Sequence, residues 1–356
     1  LSGAEETHFT HLFIDEAAQA TESESLIPFS VVVDDAPGVV KVEIALVGDP
    51  RQLSPDVYSP HAAEKLQISM LERLLRLPVE ALGGGRDHLM GPPTEHTWND
   101  LGELIEYSFQ RKDDHENLSV FLTLSYRGHP SFLIMPSQLF YFGKLRSALP
   151  LDETVNSKWC SALRKIEAMS SIANPNCDKK DSWPIHFRGV IGRDASEAVE
   201  SFWGSNSWSN PQEANEILRI VQKLVLEAKV STMEIGIMAA FRAQVVLIRK
   251  VLRENNLGAI NVGMVEDFQA VEKEVTILSL TRSNEVLLAE DARRQSGLYK
   301  QPKRINVALT RAEHMLIVVG NPNTMASDGT WREWLKFCHD NGLWYGARMS
   351  VEEVLS

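Results

Sequence analysis

Cysteine is scarce in this sequence: Cys160, Cys177 and Cys338 are the only three among 356 residues. None stands in a CxxC spacing, and an odd number leaves one unpaired in any disulfide scheme. A disulfide framework and a structural zinc site are therefore not supported, and a reducing compartment is expected. Long apolar runs are missing as well. None approaches the roughly 18 residues that a membrane helix needs, and the N-terminus lacks the basic and apolar regions of a signal peptide, so a soluble, intracellular protein is expected. Positive charge is in deficit: 36 Lys and Arg stand against 48 Asp and Glu, for a net charge of -12 and a pI near 5.4. No global basic field draws in polyanions, and any such partner must be met by a local groove. Internal repeats are absent too.

What is present is a core-forming composition, 44% hydrophobic, in a chain long enough for two domains of about 100 to 200 residues each. Short apolar runs rich in Val and Ile alternate with stretches of helical period, which is the pattern of a parallel sheet covered on both faces by helices. The runs HLFI (11–14), VEIALV (42–47), VFLTL (120–124), EIGIM (234–238), EVTILSL (274–280) and HMLIVVG (314–320) read as strands. An α/β class follows. The clearest helix begins at Asn210. There Asn210 can cap, Pro211 fits the first turn, Glu213 completes a capping box, and Ala214, Ile217, Leu218, Val221, Leu224 and Val225 form one apolar stripe. Glycine, proline and charge clusters between Pro78 and Asn117 mark a linker. The expected domains are 1–118, with that linker, and 119–322. An irregular insertion covers 150–182, and 323–356 forms a C-terminal tail.

Two strand ends carry chemistry. FIDEAAQATE delivers adjacent carboxylates, Asp15 and Glu16, to the end of a strand. Such a pair suits nucleotide hydrolysis, one holding magnesium through water and the other accepting a proton from the attacking water. VEIALVGDPRQLSP ends a second strand in Gly48 and Asp49, with Gln52 close behind. Glycine admits a close backbone approach, and a glutamine amide both donates to a phosphate oxygen and accepts from water. Either stretch alone reads equally as an ordinary strand-to-loop turn. Arg127, after LTLSY, and Arg311, in RINVALTRAEH, are guanidinium groups of the kind that stabilise a transferring phosphoryl group. If RINVALTRA is helical, Arg304 and Arg311 are two turns apart on one face.

The phrases FIDEAAQATE, LVGDPRQLSP, LSYRGHP, VGMVEDFQAVEKEVTILSLTRS and INVALTRAEHMLIVVGNP, in this order, resemble the consecutive motifs of superfamily 1 RNA helicases of the nonsense-mediated-decay type. WPIHFRGVIGRD and SNPQEA resemble the Armitage-type helicases of RNA silencing more closely. The resemblance runs from about Phe9 to Pro322. It implies two RecA-like parallel-sheet domains, the first incomplete, with ATP between them and single-stranded RNA across their top. It also implies that Asp15 coordinates Mg2+, Glu16 activates water, Gln52 senses the γ-phosphate, and Arg127 and Arg311 contact it. Gly48, Asp49, Tyr126, Glu272 and Arg304 would line the nucleotide, with Glu272 on the ribose and Tyr126 at the adenine. Phe241, Gln244, Met264 and Val265 would meet RNA. A monomer in the cytoplasm, partnered by RNA-silencing proteins, is the accompanying expectation.

One half of the implied site is missing from the sequence. No GxxxxGK followed by Ser or Thr occurs, and the sole Gly-Lys pair, Gly143 and Lys144, is followed by leucine. The chain is thus expected to be a C-terminal fragment whose phosphate loop lies upstream, and to turn over no appreciable ATP alone. Ala239, Ala240 and Phe241 stand where the family pattern has Thr-Pro-Tyr. Met264 replaces a hydroxyl residue, Ala270 a glycine, and Glu313 a frequent basic residue. Losing two hydroxyls weakens a grip built on phosphate contacts. Two other functions fit the same residues: a helicase-like scaffold without catalysis, and a DNA-directed motor of the same superfamily.

Overall fold

In a computed structural model of the chain, the residues described are 9–32, 42–57, 59–76, 120–149, 162, 183–198, 206–294 and 296–349. The chain divides into two units, Leu1–Leu122 and Thr123–Ser356. The expected linker, 78–117, falls wholly outside the described residues, as does the 150–182 insertion apart from Ala162.

In the first unit, strands β1 (His11–Ile14) and β2 (Glu43–Leu46) pair in parallel, with Ile14 opposite Leu46. Helix α1 (Glu22–Val32) starts at a reciprocal cap. The Thr21 backbone N donates to the Glu24 carboxylate at 2.8 Å while the Glu24 N donates to Thr21 Oγ1 at 3.3 Å. Helices α2 (Pro60–Leu66) and α3 (Met70–Leu75) follow, the latter capped by Ser69, whose hydroxyl accepts from Glu72 N. Arg73 grips Glu22 with two parallel bonds of 2.8 and 2.6 Å, tying α3 to the start of α1.

The second unit opens with a minimal parallel pair, β3 (Leu124–Ser125) with β4 (Arg146–Ser147), flanking α4 (Ser131–Phe140). The expected strand 120–124 is therefore mostly not a strand, and Val120 and Leu122 are solvent-exposed. Strands β5 (Ile185–Gly189), β8 (Ile235–Ala239), β9 (Asn261–Met264), β10 (Lys273–Ser279), β11 (Ala312–Gly320) and β12 (Trp344–Gly346) form a six-stranded sheet. Every pairing in it is parallel, in the order β12-β5-β11-β10-β8-β9. A separate antiparallel hairpin, β6 (Ala195–Ala198) with β7 (Asn206–Ser209), sits before α5 (Pro211–Gln222). The other helices are α6 (Arg242–Glu254), α7 (Leu288–Arg294), α8 (Pro302–Leu309), α9 (Pro322–Ala326) and α10 (Gly329–Asp340).

The central strands are largely apolar and buried because both faces are covered. Val275 and Ile277 of β10 and Ile317 and Val319 of β11 join Ile217, Val221 and Leu224 of the α5 segment and Ile248 and Leu252 of α6 in one core. Two further elements differ from expectation. Strand β5 was hidden in the sequence because His186 and Arg188 interrupt it. His186 is fully buried, stacked on Tyr345 at 4.3 Å, and burial holds its pKa down at about 3, with Arg188 adding to the effect. Arg188 is answered by Glu216 at 2.7 Å. Of the expected tail, the described residues 323–349 are an integral part of the second unit: α10 buries Trp331, Trp334 and Leu335, and β12 closes one edge of the sheet. Their aromatic payload replaces the sequence motif that the segment lacks. Among the described residues no helix is long and apolar enough to cross a membrane.

Candidate nucleotide and RNA sites

In the first unit the parallel register brings both motif ends to one edge. Val47 N donates to Ile14 O and Ala17 N to Val47 O, each at 2.8 Å, so the turn after β1 lies directly on the turn after β2. Gly48 is required by that contact, since a Cβ there would come within 2.8 Å of the Ala18 nitrogen. Asp15 and Glu16 both stay exposed. Glu16 adopts a left-handed φ of 52°, its N–H bonded to Asp15 Oδ1 at 2.9 Å. Gln19 Nε2 donates to Glu16 Oε2 at 2.6 Å and so orients that carboxylate. Asp49 works as the turn organiser, accepting from Arg51 N at 2.8 Å and from Gln52 Nε2 at 2.9 Å. Among the described residues no three His, Cys, Asp or Glu side chains cluster as metal ligands. That donor set fits magnesium in one mode, a single exposed carboxylate with waters and substrate oxygens completing the shell.

In the second unit, the amino ends of β10 and β11 collect a polar group. Lys273 N donates to Arg311 O at 3.3 Å, so Glu272 and Arg311 enter adjacent strands side by side. Arg127 reaches them from the segment after β3. Its Nε donates to Glu272 Oε1 at 2.6 Å and its Nη1 to Thr310 O at 3.1 Å. Gly128 permits this approach, because a Cβ would lie 2.8 Å from Glu313 O. Arg311 itself is 2% exposed, whereas Tyr126 is 71% exposed and packs into no core. Burial pushes the Glu313 carboxyl up from its ordinary pKa, and Glu272 and Glu274 add to that, while His314 and Arg127 oppose it. This is the electrostatic consequence of an acid where a base was expected.

Arg304 does not belong to this group. Helix α8 ends at Leu309 and Thr310 leaves it, so Arg304 and Arg311 share no helical face. Arg304 bonds instead to Glu266, past the carboxyl end of β9, at 2.7 Å and to Gly297 O at 2.6 Å.

The opposite, carboxyl edge holds a network that the sequence did not announce. Glu213 is fully buried and does not close the expected capping box. Its Oε2 accepts from Ser279 Oγ at 2.6 Å and Thr281 N at 2.9 Å, while Asn210 N donates to Gln244 instead. Burial drives the Glu213 pKa up to about 8, against the pull of those two donors. Thr281 has φ 71°, and Arg282 N donates to Leu280 O at 2.8 Å across it. That is a γ-turn at a β-branched residue, a strained conformation that persists only when its surroundings over-determine it. Arg282, 1% exposed, grips Asp291 with bonds of 2.5 and 2.6 Å, reaches Asp194 at 3.2 Å, and lies against the Trp208 and Phe241 rings at 4.3 and 4.6 Å. Ser279, Thr281 and Arg282 fall inside a motif phrase, yet residue type alone assigned them no role.

The same edge contains the expected RNA contacts, and most are turned inward. Gln244 is fully buried, its amide bonded to Ser279 Oγ and Asn210 O. Val265 is fully buried and Phe241 is 7% exposed, leaving Met264 as the partly accessible one. In this arrangement Gln244 and Val265 build the strand ends, and contacts by their side chains would need a rearrangement.

A family profile described as "AAA domain" matches residues 104–323, and another of the same description matches residues 1–60. The human RNA helicase Mov10l1 is 36% identical over 95% of this chain and 24% of its own length. The Drosophila melanogaster probable RNA helicase armi is 32% identical over 95% of the chain and 25% of its own length. This chain belongs to the superfamily 1 RNA helicases of the Armitage and Mov10 type. The DNA polymerase alpha-associated DNA helicase A of Schizosaccharomyces pombe also matches, at 30% identity over 94% of the chain and 41% of its own length. The chain thus spans about a quarter to two fifths of these relatives. The six-stranded parallel sheet is consistent with a RecA-like helicase domain. Membership of the helicase family implies nucleotide and metal use in general.

Proposed function

We propose that this chain is part of an ATP-dependent RNA helicase motor, in which ATP hydrolysis drives movement along single-stranded RNA in RNA silencing. The observation that carries the reading is the amino-edge group, where Arg127, Glu272 and Arg311 converge from segments far apart in sequence. In this reading Arg127 and Arg311 hold the γ-phosphate, Glu272 holds the ribose and Tyr126 flanks the adenine. In the first unit Asp15 holds magnesium through water, Glu16 takes the proton of the attacking water, and Gln52 senses the γ-phosphate. Magnesium, when bound, neutralises phosphate charge. The Glu16 carboxylate suits its role because Gln19 fixes it while leaving one oxygen unoccupied by that bond. Single-stranded RNA lies along the carboxyl edge of the six-stranded sheet, met largely by backbone groups and by Met264, and the motor works as a cytoplasmic monomer.

The test is RNA-stimulated ATP hydrolysis by the intact protein. Glu16→Gln is expected to lower turnover by at least about 100-fold, the ordinary scale of general-base loss, with RNA binding retained. Unchanged turnover would reject the motor reading in favour of a helicase-like scaffold. The 356-residue chain alone, whose sequence has no GxxxxGK loop, is expected to show no RNA-stimulated hydrolysis.

A further inference from the structure

Helix α6 leaves the carboxyl edge of β8 and carries a stripe of positive charge that no motif accounts for. Arg242, Val246, Arg249 and Arg253 are spaced by four, three and four residues, which at about 100° per residue places them within a narrow band along the helix. Lys250 flanks the band. Arg242, Arg249, Lys250 and Arg253 are all exposed, and the helix's one carboxylate, Glu254, lies about 100° round from Arg253. The band extends over about 16 Å, at 1.5 Å per residue.

What sets this stripe apart is its clustering on one helix. Other arginines of the chain are answered by carboxylates, as in Arg73–Glu22, Arg127–Glu272 and Arg188–Glu216, or bond backbone carbonyls singly, as Arg332 and Arg348 do. Among the described residues Arg242, Lys250 and Arg253 form no ion pair, in a protein with net charge -12. The far end of the stripe is also shaped. Arg249 donates through Nε and Nη2 to Val262 O, pinning its guanidinium over the edge strand β9. There Arg249, Arg253, Gly258 and Asn261 line a surface hollow of about 110 Å³. Like charges held together without partners repel one another and cost a little stability, so an unanswered row is suited to an external anion that would relieve the repulsion. Salt bridges would have been easy to supply from a surplus of acidic residues.

We propose that the α6 stripe is a second RNA-backbone contact, which carries the strand beyond the sheet's carboxyl edge and down the flank toward β9. This rests on the helicase reading for the strand's position at that edge. RNA is favoured over an acidic protein segment because the row starts at the edge where the RNA is placed. Its length also matches several consecutive phosphates, which rise about 3.4 Å each along a stacked strand. The row makes no claim on sequence: guanidinium and ammonium contacts to phosphates position a strand without reading it.

The experiment measures binding of fluorescein-labelled oligouridylate, 24 and 8 nucleotides long, to the 356-residue chain by fluorescence anisotropy between 50 and 200 mM salt. The triple variant Arg242→Glu, Lys250→Glu, Arg253→Glu is compared with the unaltered chain, with thermal unfolding as a check that these exposed changes leave folding intact. The 24-mer is expected to bind at least tenfold more weakly to the variant. Its salt slope should be shallower by about 2, at about 0.7 for each phosphate that the three side chains no longer neutralise. The 8-mer is expected to change less. Equal affinity and equal slope for both proteins would overturn the proposal, as would failure of the unaltered chain to bind the 24-mer at 50 mM salt. Displacement of the 24-mer by polyglutamate at equal charge concentration would assign the stripe to an acidic protein instead and overturn the RNA assignment. None of these outcomes depends on ATP hydrolysis, so failure of the motor reading would appear separately in the Glu16→Gln measurement.

Discussion

The two edges of the six-stranded sheet use charge in opposite ways. At the amino edge Arg127 and Glu272 stay partly open to solvent beside the buried Arg311, and an exposed Tyr126 stands by without a packing role. At the carboxyl edge the side chains of Arg282, Asp194, Asp291 and Glu213 are buried and hydrogen-bonded, under Trp208 and Phe241. A buried, saturated network fixes geometry, whereas a half-open one can exchange its partners for a ligand's. The contrast teaches that residues inside one motif phrase can serve different ends. Within the phrase, Glu272 precedes β10 at one edge and Arg282 follows it at the other, with the seven residues of the strand between them.

The comparison breaks most readily at Arg282. Arg282→Leu would leave Asp194 and Asp291 buried without their cation, and urea unfolding should register a loss of about 3–5 kcal/mol. By contrast, Arg127→Ala should cost less than about 1 kcal/mol in the same assay, because its ion pair is partly exposed. Equal losses at the two sites would erase the distinction between the edges.

Glu213 sharpens the contrast through pH. Its folded pKa, about 8, lies above the ordinary value of 4.5, so between those pH values the folded state holds a proton that the unfolded state has released. Stability from this group therefore falls as pH rises from about 5 to 8 and levels off above. Glu213→Gln removes the titration, and its melting temperature should fall less than that of the unaltered chain between pH 6 and 9. The gap should be roughly 5–10 °C, since about two pH units of linkage amount to about 3 kcal/mol, at about 2–4 °C per kcal/mol for a unit of this size. A parallel course for the two proteins would mean that Glu213 is ionised throughout.

The smallest expected effect concerns Ala270, which holds a φ of 55° on the exposed approach to β10. Glycine adopts that conformation without the Cβ penalty, so Ala270→Gly should stabilise by about 0.5–1 kcal/mol in urea unfolding. Destabilisation would show that the left-handed geometry costs nothing here.

Much of this was legible beforehand, for physical reasons that differ by element. Strands β8, β10 and β11 are apolar on both faces and declared themselves as continuous runs. Strand β5 did not, since His186 and Arg188 are tolerated only because Tyr345 and Glu216 come to meet them. The tail's role was hidden because Trp331 and Trp334 carry no periodic signal beyond one short helix. At the amino edge, residue type and motif together named Arg127, Glu272 and Arg311. The carboxyl edge resisted, since Glu213 acquires its partners from Ser279 and Thr281, 66 and 68 positions later. A side chain beside a strand end also gives no sign of whether it points inward. Gln244 and Val265 point inward, and Arg304 departs from Arg311 because its helix stops at Leu309.

The central claim is that the amino edge acts on nucleotide while the carboxyl edge holds the architecture under the RNA. The most direct measurement compares RNA-stimulated ATP turnover and RNA affinity of the intact protein with and without Arg311→Ala. Loss of an arginine acting on the transferring phosphate predicts a fall in turnover of about 10³-fold, with RNA affinity within about twofold. Turnover that survives the substitution, or RNA binding that collapses along with it, would contradict the account.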